Sequence, residues 1–349
     1  MSPRSAFWKW AVLGAVAAGL MLGAQTGAMG GALGLLQVGE TSALRPFVES
    51  QLGEIPLAPG PGHDGQIFYA IGADLEGRVV PGMLDHGAYR YRRILYPLIA
   101  SGFGLLEGRP LLLGMIVVTV VSTAIATGMV AALSRRLERS DWLALVVLLN
   151  PGVWLSIRLL TSDVLALALM VVALATVQFS RRWSASAFAA SVLAKDVYLT
   201  TPAGLASDGP RRRWLLAAAP LVALIAWMTW LTWTMGDGFT GRGNLALPFT
   251  GIWEGSANWG DLDGDEWLYL GFALASVAAG LVYSAIGSGW LRWSILAWSL
   301  LGVVSSNWVW DFGNNAARAF APIVVLIALS ARVSAISVPS EAEPDALAS

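Results

Sequence analysis

Long apolar stretches separated by short polar connections recur along the whole chain. A helix needs about 20 mostly apolar residues to cross the hydrocarbon core of a membrane. Only 13% of the 349 residues are charged, whereas a soluble domain carries about 25%, so the charges are too few to cover soluble surfaces. The pattern predicts an all-α polytopic membrane protein. The predicted membrane segments are residues 7–27, 110–133, 141–157, 164–178, 184–206, 214–235, 266–287, 294–310 and 319–333.

The segment 184–206 is interrupted by Lys195-Asp196, which predicts a hairpin of two short helices and brings the total to about ten crossings. Whether this segment crosses fully is left open. Basic clusters follow several segments and fall on one side, which the positive-inside rule assigns to the cytoplasm. These clusters are Arg135-Arg136, Arg181-Arg182 and Arg211-Arg212-Arg213. We therefore expect both termini in the cytoplasm and a multi-pass protein of the cell (inner or plasma) membrane.

The expected organisation is one transmembrane domain over residues 1–335 and a disordered cytoplasmic tail over residues 336–349. The segment 7–27 is expected to be a retained first span. Small residues follow it, so a cleaved signal peptide is the alternative. Residues 25–109 form a long extracytoplasmic loop that is expected to carry amphipathic helices.

Within this loop, the run from His63 to Tyr69, which contains Asp64, precedes a helix-compatible segment that runs to Leu75. An aspartate at this position can satisfy the free amides of a first helical turn, so a structural role as an N-cap is one interpretation. The other interpretation is a functional acid, and that role needs partners. Arg90, Arg92 and Arg93, which precede an amphipathic run over residues 94–106, are candidate partners.

These three arginines have two possible roles. At a membrane surface they can bind lipid headgroups. Alternatively, they hold one particular phosphate, because a guanidinium matches phosphate oxygens with two parallel hydrogen bonds. The sequence leaves both roles open.

Further charged residues occur at the ends of predicted spans. An ionised side chain at the bilayer centre costs at least about 2.5–3.5 kcal/mol, so such groups need a partner or a wet cavity. One interpretation is that neighbouring charges neutralise each other. The other is a shared polar cavity, because all the pairs face the outer side. The neighbouring pairs are Arg158 with Asp163, Lys195 with Asp196, and Asp311 with Arg318.

Composition excludes several kinds of site. The chain has no cysteine and only two histidines, His63 and His86, which excludes thiol chemistry and a multi-histidine metal site. A net charge of −1 gives no electrostatic basis for binding nucleic acid. The acidic run 261–265 lacks the remaining ligands of a calcium loop. No cofactor is expected; a divalent metal is compatible with the acids but is not indicated.

Six short motifs, in this order along the chain, resemble those of GT-C superfamily membrane glycosyltransferases that use polyprenyl-phosphate sugars. Among these proteins, the motifs resemble those of PIG-V-like mannosyltransferases and bacterial cell-surface glycopolymer formation proteins. The motifs are residues 63–69 (HDGQIFY), 92–97 (RRILYP), 149–152 (LNPG), 160–168 (LTSDVLALA), 193–198 (LAKDVY) and 315–322 (NAARAFAP). Asp163 stands where such proteins often carry glutamate, and Lys195-Asp196 replaces Arg-Glu.

The resemblance implies an inverting transferase that moves a sugar from a polyprenyl-phosphate donor to an acceptor hydroxyl of a glycan or lipid, on the extracytoplasmic face. Asp64 is then the general base that takes the proton of the acceptor. Cations near the leaving phosphate stabilise the charge that develops there; these are Arg92, Arg93, Lys195 and Arg318. The expected sugar-binding or supporting residues are His63, Gln66, Tyr69, Asp163 and Asp196.

Two other classes of function compete with the enzyme. A transporter or lipid flippase could pass its substrate through a polar cavity, and broken helices near Pro151 and Lys195 would suit it. A non-catalytic membrane assembly protein is the second alternative. The sugar, the acceptor, the polyprenol and the oligomeric state are not indicated by the sequence.

Overall fold

The computed structural model describes residues 1–207, 214–236 and 243–330, and about 75% of these described residues are helical. The predicted basic cluster 211–213, the predicted tail 336–349 and the end of the predicted span 319–333 lie outside the described residues. The helices are α1 Pro3–Ala28, α2 Arg45–Leu52, α3 Asp64–Ala73, α4 Gly87–Tyr91, α5 Leu95–Ala100, α6 Gly108–Arg136, α7 Leu145–Leu148, α8 Pro151–Arg158, α9 Asp163–Thr176, α10 Arg181–Ala194, α11 Thr200–Ser207, α12 Trp214–Met235, α13 Thr250–Gly255, α14 Gly264–Ile286, α15 Arg292–Val303, α16 Asn307–Trp310 and α17 Gly313–Leu329.

Four described helices are long and apolar enough to cross a membrane: α1, α6, α12 and α14. The 3₁₀ turn Asp141–Ala144 with α7, followed by α8, makes a fifth if this pair, bent by 54°, is one span. The all-α architecture is confirmed to this extent, but the predicted count of about ten crossings is not. The remaining predicted segments are shorter or broken: α9 has 14 residues and α17 has 17.

Three predicted segments are broken, and two of the breaks have identifiable local causes. Pro151 begins α8, and the Asn150 side chain accepts a hydrogen bond from the Gly152 amide at 3.0 Å. This is a helix start rather than a helix interior, because proline has no amide to donate. The segment 184–206 breaks at Lys195, where the backbone is extended, as the sequence predicted. The segment 294–310 divides into α15 and α16.

Helix α1 is packed into the bundle along α6. Trp10 is 1% exposed, and its indole donates a hydrogen bond to Asp141 at 2.8 Å. Farther along, a Cβ on Gly14 would lie 2.8 Å from the hydroxyl oxygen of Thr127, so the glycine permits the close approach of the two helices. The first predicted segment is therefore an integral part of this helix bundle.

Loop 25–109 is compact and folds onto the bundle. A two-residue parallel pairing joins Val38–Gly39 to Leu57–Ala58, and α3 packs against α5 and α6. The predicted run 94–106 forms a helix only as far as Ala100, because Gly102, Phe103 and Gly104 all have positive φ. The loop thereby places the first turn of α3 beside the starts of α9 and α17.

Candidate functional site

Asp64 lies at the centre of a charged cluster drawn from distant parts of the chain. Its Oδ2 accepts a hydrogen bond from Arg318 Nη1 at 2.9 Å, and its Oδ1 accepts one from Arg90 Nη1 at 3.4 Å. Arg90 also donates to both carboxylate oxygens of Asp85, at 3.1 and 3.2 Å. The two arginines therefore connect the start of α3 to α17 and to α4.

Asp64 is not the N-cap of its helix. His63 is the N-cap and makes no side-chain capping bond, and Asp64 is the first helical residue. The carboxylate of Asp64 instead faces the arginines. Burial alone would raise the pKa of this carboxyl, but Arg318, Arg90 and Arg93 outweigh it and hold the pKa well below its usual range. The acid is thus ionised and paired.

A second ion pair lies beside the first. Lys195, at the break after α10, donates a hydrogen bond to Asp163 Oδ1, and Thr161 donates to Asp163 Oδ2 at 2.7 Å. Asp163 and Lys195 are 7% and 8% exposed. Arg318 Nη1 lies 3.9 Å from Asp163 Oδ2, so one guanidinium joins the two ion pairs.

The predicted ion pairs between sequence neighbours are wrong, because the charged residues have other partners. Lys195 pairs with Asp163 rather than with Asp196, because its extended backbone directs it toward α9. Asp196 lies 4.0 Å from Arg92. Asp163, Lys195 and Arg318 nonetheless meet in one cluster; the shared polar cavity of the alternative interpretation stays a prediction.

Two of the predicted neighbours lie outside this cluster. Asp311 accepts hydrogen bonds from Asn258 at 3.1 Å and from Asn307 at 3.3 Å, not from Arg318. Arg158 lies beside Tyr269 and Glu266 instead of Asp163, and its buried Nε has no hydrogen-bond partner among the described residues.

The three arginines after Asp85 surround the ring of Tyr89. Their guanidinium carbons lie 6.0, 5.3 and 5.5 Å from the ring centroid for Arg90, Arg92 and Arg93. Arg93 also donates to the Tyr89 hydroxyl at 3.1 Å. Exposed fractions of 16% and 10% for the Arg90 and Arg92 side chains place these groups within the protein. This geometry favours a specific anion site over general binding of lipid headgroups.

Close packing around Gly65 explains why a glycine follows Asp64. A Cβ at this position would lie 2.9 Å from the carbonyl oxygen of Leu159 and 3.0 Å from that of Leu36. The first turn of α3 therefore packs directly on the backbone before α9. That contact sets the position of Asp64 relative to Asp163 and Arg318.

The other residues of the HDGQIFY motif differ in their surroundings. His63 is exposed. Gln66 is 3% exposed; its amide donates to Pro61 O at 2.8 Å and accepts from the Gly39 amide at 3.4 Å. Tyr69 is fully buried, and burial, with a smaller effect of Glu107, raises its pKa to about 12. Gln66 and Tyr69 therefore support loop 25–109, whereas the His63 side chain is open to solvent.

The sequence did not single out several residues that the structure brings to this region. The ring of Tyr89 lies between Arg90, Arg92 and Arg93, and Asn244 donates a hydrogen bond to the Tyr89 hydroxyl at 2.7 Å. Asn315 accepts from Arg318 Nη2 at 2.9 Å. Glu266 accepts a hydrogen bond from the amide of Asn314 at 2.9 Å, at the start of α17. These contacts depend on tertiary packing and have no signal in sequence spacing.

Chemically, the cluster combines partly exposed acids, Asp64 among them, with several cations that are held in ion pairs. Arg90, Arg92, Arg93, Lys195 and Arg318 can stabilise an anion such as a phosphate. The part of the chain that the structure describes contains no group of three or more histidine, aspartate or glutamate side chains that could hold a metal ion.

No family model, no curated protein and no solved structure matches this chain.

Proposed function

We propose that this protein is an integral-membrane inverting glycosyltransferase that moves a sugar from a polyprenyl-phosphate donor to an acceptor hydroxyl. The observation that carries the proposal is the position of Asp64. This acid lies 2.9 Å from Arg318 and close to Arg90, with the Lys195–Asp163 pair adjacent. An acid beside several cations is the combination that sugar transfer from a phosphate requires.

The cations serve the leaving group. When the bond between the anomeric carbon and the phosphate oxygen breaks, its electron pair leaves with the polyprenyl phosphate, and negative charge grows on that phosphate. Groups fixed in advance where charge develops stabilise the transition state most effectively. Arg318 and Lys195 are 8% exposed each, so their charges are little screened by water.

The acid serves the acceptor. The acceptor oxygen bonds to the anomeric carbon as the phosphate leaves, and Asp64 takes the hydroxyl proton. A single displacement of this kind inverts the anomeric configuration. His63, which is exposed next to Asp64, is suited to hold a sugar hydroxyl.

The location of the cluster suits an amphiphilic donor. The chain has long apolar helices that can lie in a bilayer, whereas the cluster gathers at the starts of α3, α9 and α17. An isoprenoid can remain in lipid while its phosphosugar reaches these residues. The proposal places the cluster on the extracytoplasmic side of the cell membrane, with cell-surface glycan or glycolipid assembly as the process.

The test is sugar transfer by membranes that contain the full chain, supplied with a panel of radiolabelled polyprenyl-phosphate sugars. We expect wild-type membranes to label a lipid or glycan product. Asp64→Asn should reduce transfer by about 10²–10⁴-fold, the usual contribution of a general base, at equal protein level. Uptake into vesicles without any transfer would instead favour a transporter, and near-normal transfer by Asp64→Asn would remove Asp64 as the base.

A further inference from the structure

The geometry of Asp64 presents a difficulty for its role as a base. Its carboxylate is engaged by two guanidinium groups, and Arg318 and Arg90 stabilise its ionised form. An acid held in this way is a weak proton acceptor. The same contacts also occupy the arginines that should receive the donor phosphate.

We infer that the Asp64 carboxylate occupies the position of the donor phosphate between Arg318 and Arg90, and that phosphate binding displaces it. The inference rests on the proposed function and adds a regulatory step at the same site. The donor opens the site by exchanging one anion for another, and the displaced carboxylate becomes the base. Without donor, the acid closes the site.

The contacts around Asp64 permit this exchange. Among the described residues, the hydrogen bonds of its carboxylate go to Arg318 and Arg90 and to no backbone amide. A phosphate can replace both bonds, because its oxygens match the guanidinium geometry at least as well. The carboxylate can then rotate away without unwinding α3.

Arg318 stays in place during the exchange. Its Nη2 donates to Asn315 at 2.9 Å, and its Nη1 also lies 3.9 Å from Asp163, which Thr161 and Lys195 hold in place. Asp163 is therefore a fixed counter-ion, whereas Asp64 is the exchangeable one. The difference in their exposure, 9% for the Asp163 side chain and 21% for that of Asp64, agrees with this division.

The exchange also makes the acid a better base. Once the phosphate neutralises Arg318 and Arg90, the electrostatic stabilisation of the ionised carboxylate falls, and its affinity for a proton rises. Asp64 then takes the proton of the acceptor as the new glycosidic bond forms. Proton uptake is thus delayed until a donor is bound.

Binding of an isoprenyl phosphate without a sugar tests the inference separately from catalysis. The probe is farnesyl phosphate, titrated calorimetrically into the full chain in phosphatidylcholine nanodiscs. Because Asp64 competes with the probe, Asp64→Asn should bind it at least about tenfold more tightly, which corresponds to about 1.4 kcal/mol. Arg318→Gln should weaken binding by a similar factor.

The matched control is Asp85→Asn, which removes a carboxylate from the opposite side of Arg90. It should change the affinity by less than about threefold, because the Asp64 carboxylate still occupies the position between Arg318 and Arg90 in this variant. If Asp64→Asn does not fold, Asp64→Ala is used, since Asp64 is the first helical residue and alanine has the highest helix propensity.

Unchanged or weaker binding by the folded Asp64 variant would overturn the inference, and would leave the proposed transfer untouched. Tighter binding without any transfer by the wild type would support the exchange at an anion site while contradicting the proposed enzyme. Equal gains for Asp64→Asn and Asp85→Asn would also overturn the inference, because general relief of negative charge would then explain both.

Discussion

Asp64 Oδ2 lies 2.9 Å from Arg318 Nη1, although 254 positions separate the two residues. This bond attaches loop 25–109 to the first turns of α17. Arg318 also lies 3.9 Å from Asp163, so three separate regions of the chain meet at one guanidinium. A site built in this way exists only in the folded protein.

The planar, multi-donor guanidinium of Arg318 should matter for donor binding as much as its positive charge. Arg318→Lys keeps the charge but cannot contact Asn315 and Asp64 at once. We expect the donor KM to rise at least about tenfold, and Arg318→Ala and Lys195→Ala to weaken donor use further. The measurement is steady-state transfer against donor concentration. Arg292→Lys, whose Nε bonds to Ser284 O instead, is the control; an equal rise in that variant would refute the prediction.

Removing one partner of the buried Lys195–Asp163 pair should destabilise the protein more than removing both. Removing one partner leaves the other buried and uncompensated, at a cost of about 3–5 kcal/mol. Lys195→Met should therefore destabilise the protein strongly, and adding Asp163→Asn should restore part of that loss. The measurement is the free energy of unfolding of the wild type, the two single variants and the double variant, obtained by reversible denaturant unfolding in detergent. Losses that simply add would show that the two groups do not interact.

Gly65→Ala should displace Asp64 without preventing membrane insertion. The added methyl group meets the carbonyl oxygens of Leu159 and Leu36, and packed backbone gives way little. We expect transfer to fall at least about tenfold while the level of protein in the membrane is unchanged. Gly82→Ala, in the same loop with nothing within 4 Å of the added Cβ, should behave as wild type. Normal transfer by Gly65→Ala would contradict the expected positioning.

Acid pH should remove the stabilising contribution of Asp64. Its pKa is lower in the folded protein than in the unfolded chain, so the contribution is complete above the unfolded value, about 3.9, and falls as pH decreases toward the folded value. The difference in Tm between wild type and Asp64→Asn should be constant from pH 5 to 7 and should shrink below pH 4. A difference that is the same at pH 3 and pH 7 would contradict the ion pair.

The sequence was sufficient to locate the long helices and the charged residues of the cluster. Trp214–Met235 is found with the predicted bounds, since apolar length is a local property. The break at Lys195 was also predicted, and a helix start was expected next to Asp64, although His63 is the N-cap. Each depends on a few adjacent residues.

The partners within the cluster could not be predicted in this way. Lys195 adjoins Asp196 in sequence but pairs with Asp163, because the extended backbone at the break turns it toward α9. Gln66 and Tyr69 were expected to bind a sugar or to support the site; which of the two could not be predicted, and they are buried because α3 packs on α5 and α6. Side-chain direction depends on tertiary packing, which spacing along the chain does not encode.

The most direct test of the central claim is a single turnover of Asp64→Asn with bound donor. Purified protein in nanodiscs is loaded with a radiolabelled polyprenyl-phosphate sugar that supports transfer by the wild type; acceptor is then added, and bound donor and product are counted in the same sample. We expect the variant to hold the donor and to transfer almost no sugar. Conversion of the bound donor at the rate of the wild type would contradict the account.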